Sequence, residues 1–213
     1  MRLLHLDASA RLEHSNSRML TAYCVSRLGS LVPNLHVDYI DVAADPLPHV
    51  SEAFTAAMYT PAAQLTGAMR ETLRRSDGLV DRLMAVNAMV FGVPMYNFGM
   101  PSAFKAFIDH IVRPGRTHRV GPDNTLVGML GRRRALFVTT RGVDFSAGSA
   151  FAGLDALTPG LRAVFGFIGV TDMAFVDAQP VHFAGEERKR RALNAARAEL
   201  DRIAADWAGA AER

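Results

Sequence analysis

The feature that most constrains this chain is an uninterrupted apolar run, Ala88-Met89-Val90-Phe91-Gly92-Val93, shut off by Pro94. A short run with no polar alternation suits a strand covered on both faces, as in a parallel sheet packed between helices. Ala135 to Thr140 repeats the pattern, and Leu3 to Leu6, Leu35 to Ile40 and Val170 to Val176 add three more strand-like runs. Helical periodicity fills the gaps. Leu20, Tyr23, Cys24, Leu28 and Leu31 recur at helical spacing after Ser15-Asn16-Ser17, which supplies N-cap chemistry. A short helix is expected over 51–58, and a longer one carries Leu65, Met69, Leu73, Ser76, Val80 and Leu83 on one side. Further helices are expected over Ser102 to Val112 and near 155–166. The last carries Leu193, Ala196, Leu200, Ile203 and Trp207 as a closing amphipathic face. Five strands alternating with helices predict an α/β fold: a doubly wound five-stranded parallel sheet with helices on both faces.

Size and composition narrow the class. The chain has 213 residues, 49% of them hydrophobic, which predicts one domain over 1–213 with a single substantial core. Its one cysteine, Cys24, excludes an internal disulfide and leaves no CxxC metal or redox pair, so no metal site is expected. Cys24 falls on an apolar helix face and reads as a buried structural thiol. The opening Met1-Arg2-Leu3-Leu4-His5-Leu6 is too short for a signal-peptide core, and no later stretch reaches the length of a membrane span. A soluble cytoplasmic protein is the expectation. The net charge is only +3, and the basic clusters Arg132-Arg133-Arg134 and Arg188-Lys189-Arg190-Arg191 have no interleaved aromatics. They read as solvated surface, and nucleic-acid binding is not supported.

A doubly wound sheet binds its ligand outside the carboxyl ends of its strands. Three segments just after strands therefore carry the functional signal. The first, Ser9 to Ser17, joins the first strand to the first helix. It offers the hydroxyls of Ser9, Ser15 and Ser17, the amide of Asn16 and free N–H groups at a helix N-terminus. Such donors suit a phosphate. The loop has neither GxGxxG nor GxxxxGK[ST], so a terminal phosphate monoester fits better than a pyrophosphate or an NTP. Ordinary helix capping would need only one of these residues. The second segment, Pro94-Met95-Tyr96-Asn97-Phe98-Gly99-Met100-Pro101, is aromatic and methionine-rich between two prolines. It suits a large planar ring with polar rim atoms, and equally a subunit contact. The third, Thr140-Arg141-Gly142-Val143, offers a glycine for close backbone approach or positive φ, and an arginine that could face a ring edge or solvent. Phosphate at the first loop and a planar ring between the other two is the shape of bound FMN.

With these motifs the chain resembles the FMN-dependent NADH:quinone oxidoreductase and azoreductase family. The resemblance rests on Ser9 with Ser15-Asn16-Ser17, on Pro94 to Phe98, on Lys105-Ala106-Phe107-Ile108-Asp109, on Thr140-Arg141-Gly142 and on Gly166 to Asp172. It extends over essentially the whole chain. It implies a flavodoxin-like fold with one FMN per subunit and NADH or NADPH as co-substrate. Ser9, Ser15, Asn16 and Ser17 would hold the phosphate and ribityl chain, Met95, Tyr96, Asn97 and Phe98 would line the ring, and Thr140, Arg141, Gly142 and Val143 would contact its pyrimidine side. It further implies a homodimer with the flavin near the subunit boundary. Two positions depart from the family: Val143 replaces a second glycine, and His118 replaces an aromatic; a histidine over the flavin face could give a proton to reduced substrate, and the plain alternative is a solvated surface side chain.

The implied activity is ping-pong reduction of quinones by two electrons, with azo bonds cleaved by the same hydride logic; the cofactor carries the hard step and no side chain is required as a catalytic base. Three alternatives stand beside it. A flavodoxin-type electron carrier would be acidic, whereas this chain is mildly basic. An NADPH-dependent FMN reductase would differ in the loop after the third strand. A flavin-free binding domain on the same fold is the third.

Overall fold

The structure is a computed structural model and describes residues 1–211. Five strands form one parallel sheet: β1 (Arg2–Asp7), β2 (His36–Asp41), β3 (Ala88–Pro94), β6 (Arg134–Thr140) and β7 (Asp172–Ala178), in the order β2-β1-β3-β6-β7. Leu6, Phe91, Phe137 and Phe175 lie side by side across four of the strands. The expected doubly wound parallel sheet is therefore present. The last strand starts and ends two residues later than its apolar run suggested, because Asp172 and Ala178 complete the ladder with Arg134 and Thr140.

Side-chain alternation along the central strands sorts the helices. Leu3, Ala88, Val90, Leu136 and Val138 face α1 (Asn16–Leu31) and α6 (Gly185–Ala211), where they meet Leu20, Cys24, Leu28, Leu200, Ile203 and Trp207. Leu4, Leu6, Met89, Phe91, Val93 and Phe137 face the other way. There they pack on α3 (Gly67–Met84), α4 (Ser102–Ile111) and α5 (Leu157–Phe167). Phe91 centres this layer, stacked on Phe137 at 5.2 Å and tilted against Phe165 at 5.0 Å. Both faces of β3 are thus sealed, which explains the run's lack of polar alternation. The short helix α2 (Glu52–Tyr59) docks on α3 through Phe54, Ala57 and Leu73.

One feature escaped the periodicity. Strands β4 (His118–Val120) and β5 (Leu126–Gly128) form a small antiparallel hairpin before β6. Each has three residues, too few to register as a pattern. The hairpin is fixed by a backbone contact instead: a Cβ on Gly128 would lie 2.1 Å from the Gly169 nitrogen, and Leu130 N–H donates to Ile168 O at 2.8 Å. No helix among the described residues is long and apolar enough to cross a membrane.

Cys24 is fully buried between α1 and the sheet, and burial pushes its thiol up to about 12. The thiol is therefore protonated at pH 8 in the folded protein and ionises appreciably only on unfolding. Alkylation by iodoacetamide at pH 8 should be slower by about 100-fold or more in the native protein than in denaturant. Equal rates, followed by mass spectrometry, would show that the α1 face opens readily.

Candidate functional site

Strand β1 pairs with β2 on one side and β3 on the other, so the chain's direction of travel across the sheet reverses beside β1. Connections leave in opposite directions there, and a crevice opens at the carboxyl ends. A cleft of about 290 Å³ lies at this end. Ser9, Arg11, Ser15 and Asn16 line it from the first loop, and Pro94, Met95 and Tyr96 from the second. Thr140 and Gly142 line it from the third, and Val181, His182 and Phe183 from a fourth. A separate hollow lined by Met1, Asn87, Arg132, Arg134 and Trp207 shares none of these residues. It lies where strands begin, and its Arg134 is paired with Asp172 at 3.3 Å.

Ser15 is the N-cap of α1, its side chain accepting from Arg18 N–H. Ser17, the second residue of α1, is buried, with its hydroxyl 3.2 Å from that of Ser15. It supports Ser15 rather than lining the cleft. The first residues after β1 are tied to the second loop: Ala10 N–H donates to the Tyr96 hydroxyl at 3.2 Å. Arg11, exposed on the rim, makes no ion pair among the described residues. Hydroxyls, a free guanidinium and the first turn of a helix are the donor set of a phosphate monoester.

The second loop is a tight turn. Tyr96 and Gly99 exchange both backbone hydrogen bonds at 3.0 Å, while Asn97 and Phe98 between them take positive φ of 48° and 70°. Left-handed backbone at a phenylalanine costs about 1–2 kcal/mol. It is held there by Ala156, whose N–H donates to Phe98 O at 3.0 Å. Met95 N–H donates to Thr140 O, which fastens this loop to the third. Of the four expected ring-lining residues, Met95 and Tyr96 line the cleft; Asn97 forms the turn, and Phe98, 47% exposed, stands on the outer surface beside Phe145.

Arg141 is where the third loop differs most from expectation. Its side chain is only 2% exposed, with Asp155 and Asp177 each 3.3 Å away and the Thr158 hydroxyl at 2.6 Å. It ties the ends of β6 and β7 to α5 and does not line the cleft; nor does Val143. Gly142 does, and its lack of a side chain has a clear reason. A Cβ there would lie 3.2 Å from the Phe183 ring, while Gly142 O accepts from His182 and Phe183 N–H. The close approach is thus made by the fourth loop. That loop follows β7, and Val181, His182 and Phe183 fell outside the segments singled out in the sequence; the rule that ligands sit after strand ends applied to this strand too. Arg11 and Pro94 were inside those segments but not chosen.

His118 lies apart. Helix α4 carries the chain back to the amino-terminal edge of the sheet, where His118 begins β4 with its ring 4.7 Å from that of Phe167. It does not line the cleft. Burial lowers its pKa below the ordinary histidine value.

Comparison with known proteins bears on the same cleft. A family model described as a flavodoxin-like fold matches residues 1–204. A protein of Nostoc punctiforme named FMN-dependent NADH:quinone oxidoreductase is 42% identical over 205 residues, covering 96% of this chain and 98% of its own. One from Methylocella silvestris with the same name is 39% identical over 196 residues, 92% of this chain and 95% of its own. Among solved structures, an FMN-dependent NADH-azoreductase from Bacillus anthracis in complex with FMN superposes with a TM-score of 0.87 at 21% identity. That match covers 98% of this chain and 100% of the other, a likeness of fold. On its sequence and its sheet, this chain belongs to the flavodoxin-like fold family, among the members named FMN-dependent NADH:quinone oxidoreductases.

Proposed function

We propose that the cleft binds one FMN per subunit and that the protein reduces quinones with NADH, and azo compounds by the same route. One observation carries this reading. The cleft brings phosphate-type donors (Ser9, Arg11, Ser15, Asn16) and flat apolar surface (Met95, Tyr96) together at the switch point of the sheet. The relatives' names support it, since they couple FMN, NADH and quinone; azoreductase is the name of a neighbour in fold.

Each residue then has a task. The α1 N-terminus with Ser9, Ser15 and Asn16 accepts the phosphate, and Ser17 supports Ser15 from beneath. Met95 and Tyr96 flank the ring, with Asn97 and Phe98 shaping the turn that presents them. Thr140 and the backbone of Gly142 meet the ring's polar edge, while Arg141 holds that loop from behind. Bound FMN would take a hydride from NADH and return two electrons to the acceptor. The chain supplies orientation and excludes water, and no side chain serves as base. Phe183 is 76% exposed on the cleft wall, an unfavourable position for a large apolar ring unless a flat ligand covers it. We infer also that the protein is a homodimer located in the cytoplasm, the exposed Phe98 being covered by the second subunit.

Purified protein should carry flavin absorbance, bleach on anaerobic addition of NADH and recover on addition of a benzoquinone. Protein that loads with FMN yet stays coloured under NADH would rule the activity out. Sedimentation equilibrium should give twice the 23.1 kDa of the chain, and a monomer at micromolar concentration would remove the dimer. Gly142→Ala should raise the Kd for FMN by about 10-fold, because the methyl displaces Phe183. With Phe183→Ala already in place, Gly142→Ala should add little further loss, since the ring it strikes is gone; a full further loss of about 10-fold would mean the glycine serves another contact.

A further inference from the structure

We propose that Arg18 is the positioning residue of the phosphate-binding loop, holding the backbone from Ser9 to Arg11 in the conformation that presents its donors to a phosphate. The proposal rests on the FMN reading above. Arg18 is the third residue of α1, directly after the Ser15-Asn16-Ser17 cap. Its guanidinium is fully engaged. Nη2 donates to Ser9 O at 2.7 Å and Nε to Arg11 O at 3.1 Å, so two carbonyls of the loop are drawn to one cation. Nη1 and Nη2 grip Asp41, at the end of β2, at 2.5 and 2.9 Å, and Nη1 also donates to the Tyr39 hydroxyl at 3.2 Å. Asp41 is fixed in turn by the N–H groups of Ala43 and Ala44, each at 3.0 Å. A planar fork with five donors is the one side chain that reaches all these acceptors; the single nitrogen of lysine cannot span them.

Charge gives Arg18 a second role. Two carboxylates lie beneath the loop: Asp41, and the buried Asp7, which accepts from Thr21 at 2.8 Å and from Tyr39 at 3.1 Å. His5 lies 3.4 Å from Asp7, and Arg18 is 3.9 Å from it. Arg18 stands between these acids and the loop. Without it, Asp7 and Asp41 would lose the arginine paired to them, and an arriving phosphate would meet their charge from below with only the rim Arg11 on its own side.

A merely structural brace between α1 and β2 would make the same contacts, so the test separates the two. Apoprotein of the full chain is titrated with FMN and with riboflavin, which has the ring and ribityl chain but no phosphate, following quenching of flavin fluorescence. For R18K the Kd for FMN should rise by about 10-fold or more, since loop hydrogen bonds are lost. The Kd for riboflavin should rise by clearly less, about threefold at most, because the Ala10–Tyr96 hydrogen bond is the one described tie from this loop to the ring surfaces. D41N, which loosens the fork but keeps the cation, should fall between wild type and R18K for FMN. Equal weakening of both ligands, or no weakening of either, would overturn the proposal. Wild-type apoprotein that binds riboflavin as tightly as FMN would instead overturn the phosphate reading itself. R18M, if its melting temperature stays near that of wild type, should lose more FMN affinity than R18K; less loss would refute the charge role.

Discussion

Parallel pairing of β1 with both β2 and β3 is the constraint from which the rest of this molecule follows. Parallel neighbours cannot be joined by a hairpin, so every connection climbs over a face as a helix. Connections that leave β1 and β3 on opposite faces cannot close over the gap between them. The site is therefore a by-product of topology: four loops end around a crevice that no helix can cover. What distinguishes this chain from others of its fold is only what those loops carry.

The loops are held to one another by polar contacts that the strands themselves supply. Asp7 at the end of β1 reaches Thr21 on α1 and Tyr39 on β2. Its carboxylate lies where a Cβ on Gly92 would be, 2.3 Å from that position. Gly92 therefore interrupts the apolar β3 run for a reason, since any side chain there would expel the acid that organises the first loop. On the far side of the cleft, Arg141 gathers Asp155 from the turn ahead of α5, Thr158 from α5 and Asp177 from β7. Two arginines, one at each end of the crevice, thus fix its walls from behind, leaving hydroxyls and ring surfaces to face inward.

Much of this was legible in the sequence where the signal is local. Runs such as 88–93 and 135–140 declare buried strands, and Ser15 declares a helix start. The location of the site follows from strand ends. What was not legible depends on partners far away in the chain. The three-residue strands of the β4–β5 hairpin exist because Gly128 meets Gly169. Arg141 turns inward because its acceptors arrive from three other segments. The fourth loop begins only past Ala178, because the ladder with β6 carries β7 two residues beyond the apolar run, and its cleft residues Val181 to Phe183 carry no motif of their own. His118, attractive as a substitution in a motif, stands at the opposite edge of the sheet from the cleft, which only the return path of α4 reveals.

The turn at Asn97 and Phe98 has a consequence for anyone reshaping this protein. Its second residue holds a bulky side chain in backbone space that glycine occupies freely. A search for heat resistance would find glycine at 98 among its first rewards. It would do so by discarding an aromatic surface that the fold maintains against its own conformational preference, and under the proposed dimer the gain in melting temperature would come with a weaker subunit contact. Under that proposal, backbone comfort and assembly pull position 98 in opposite directions.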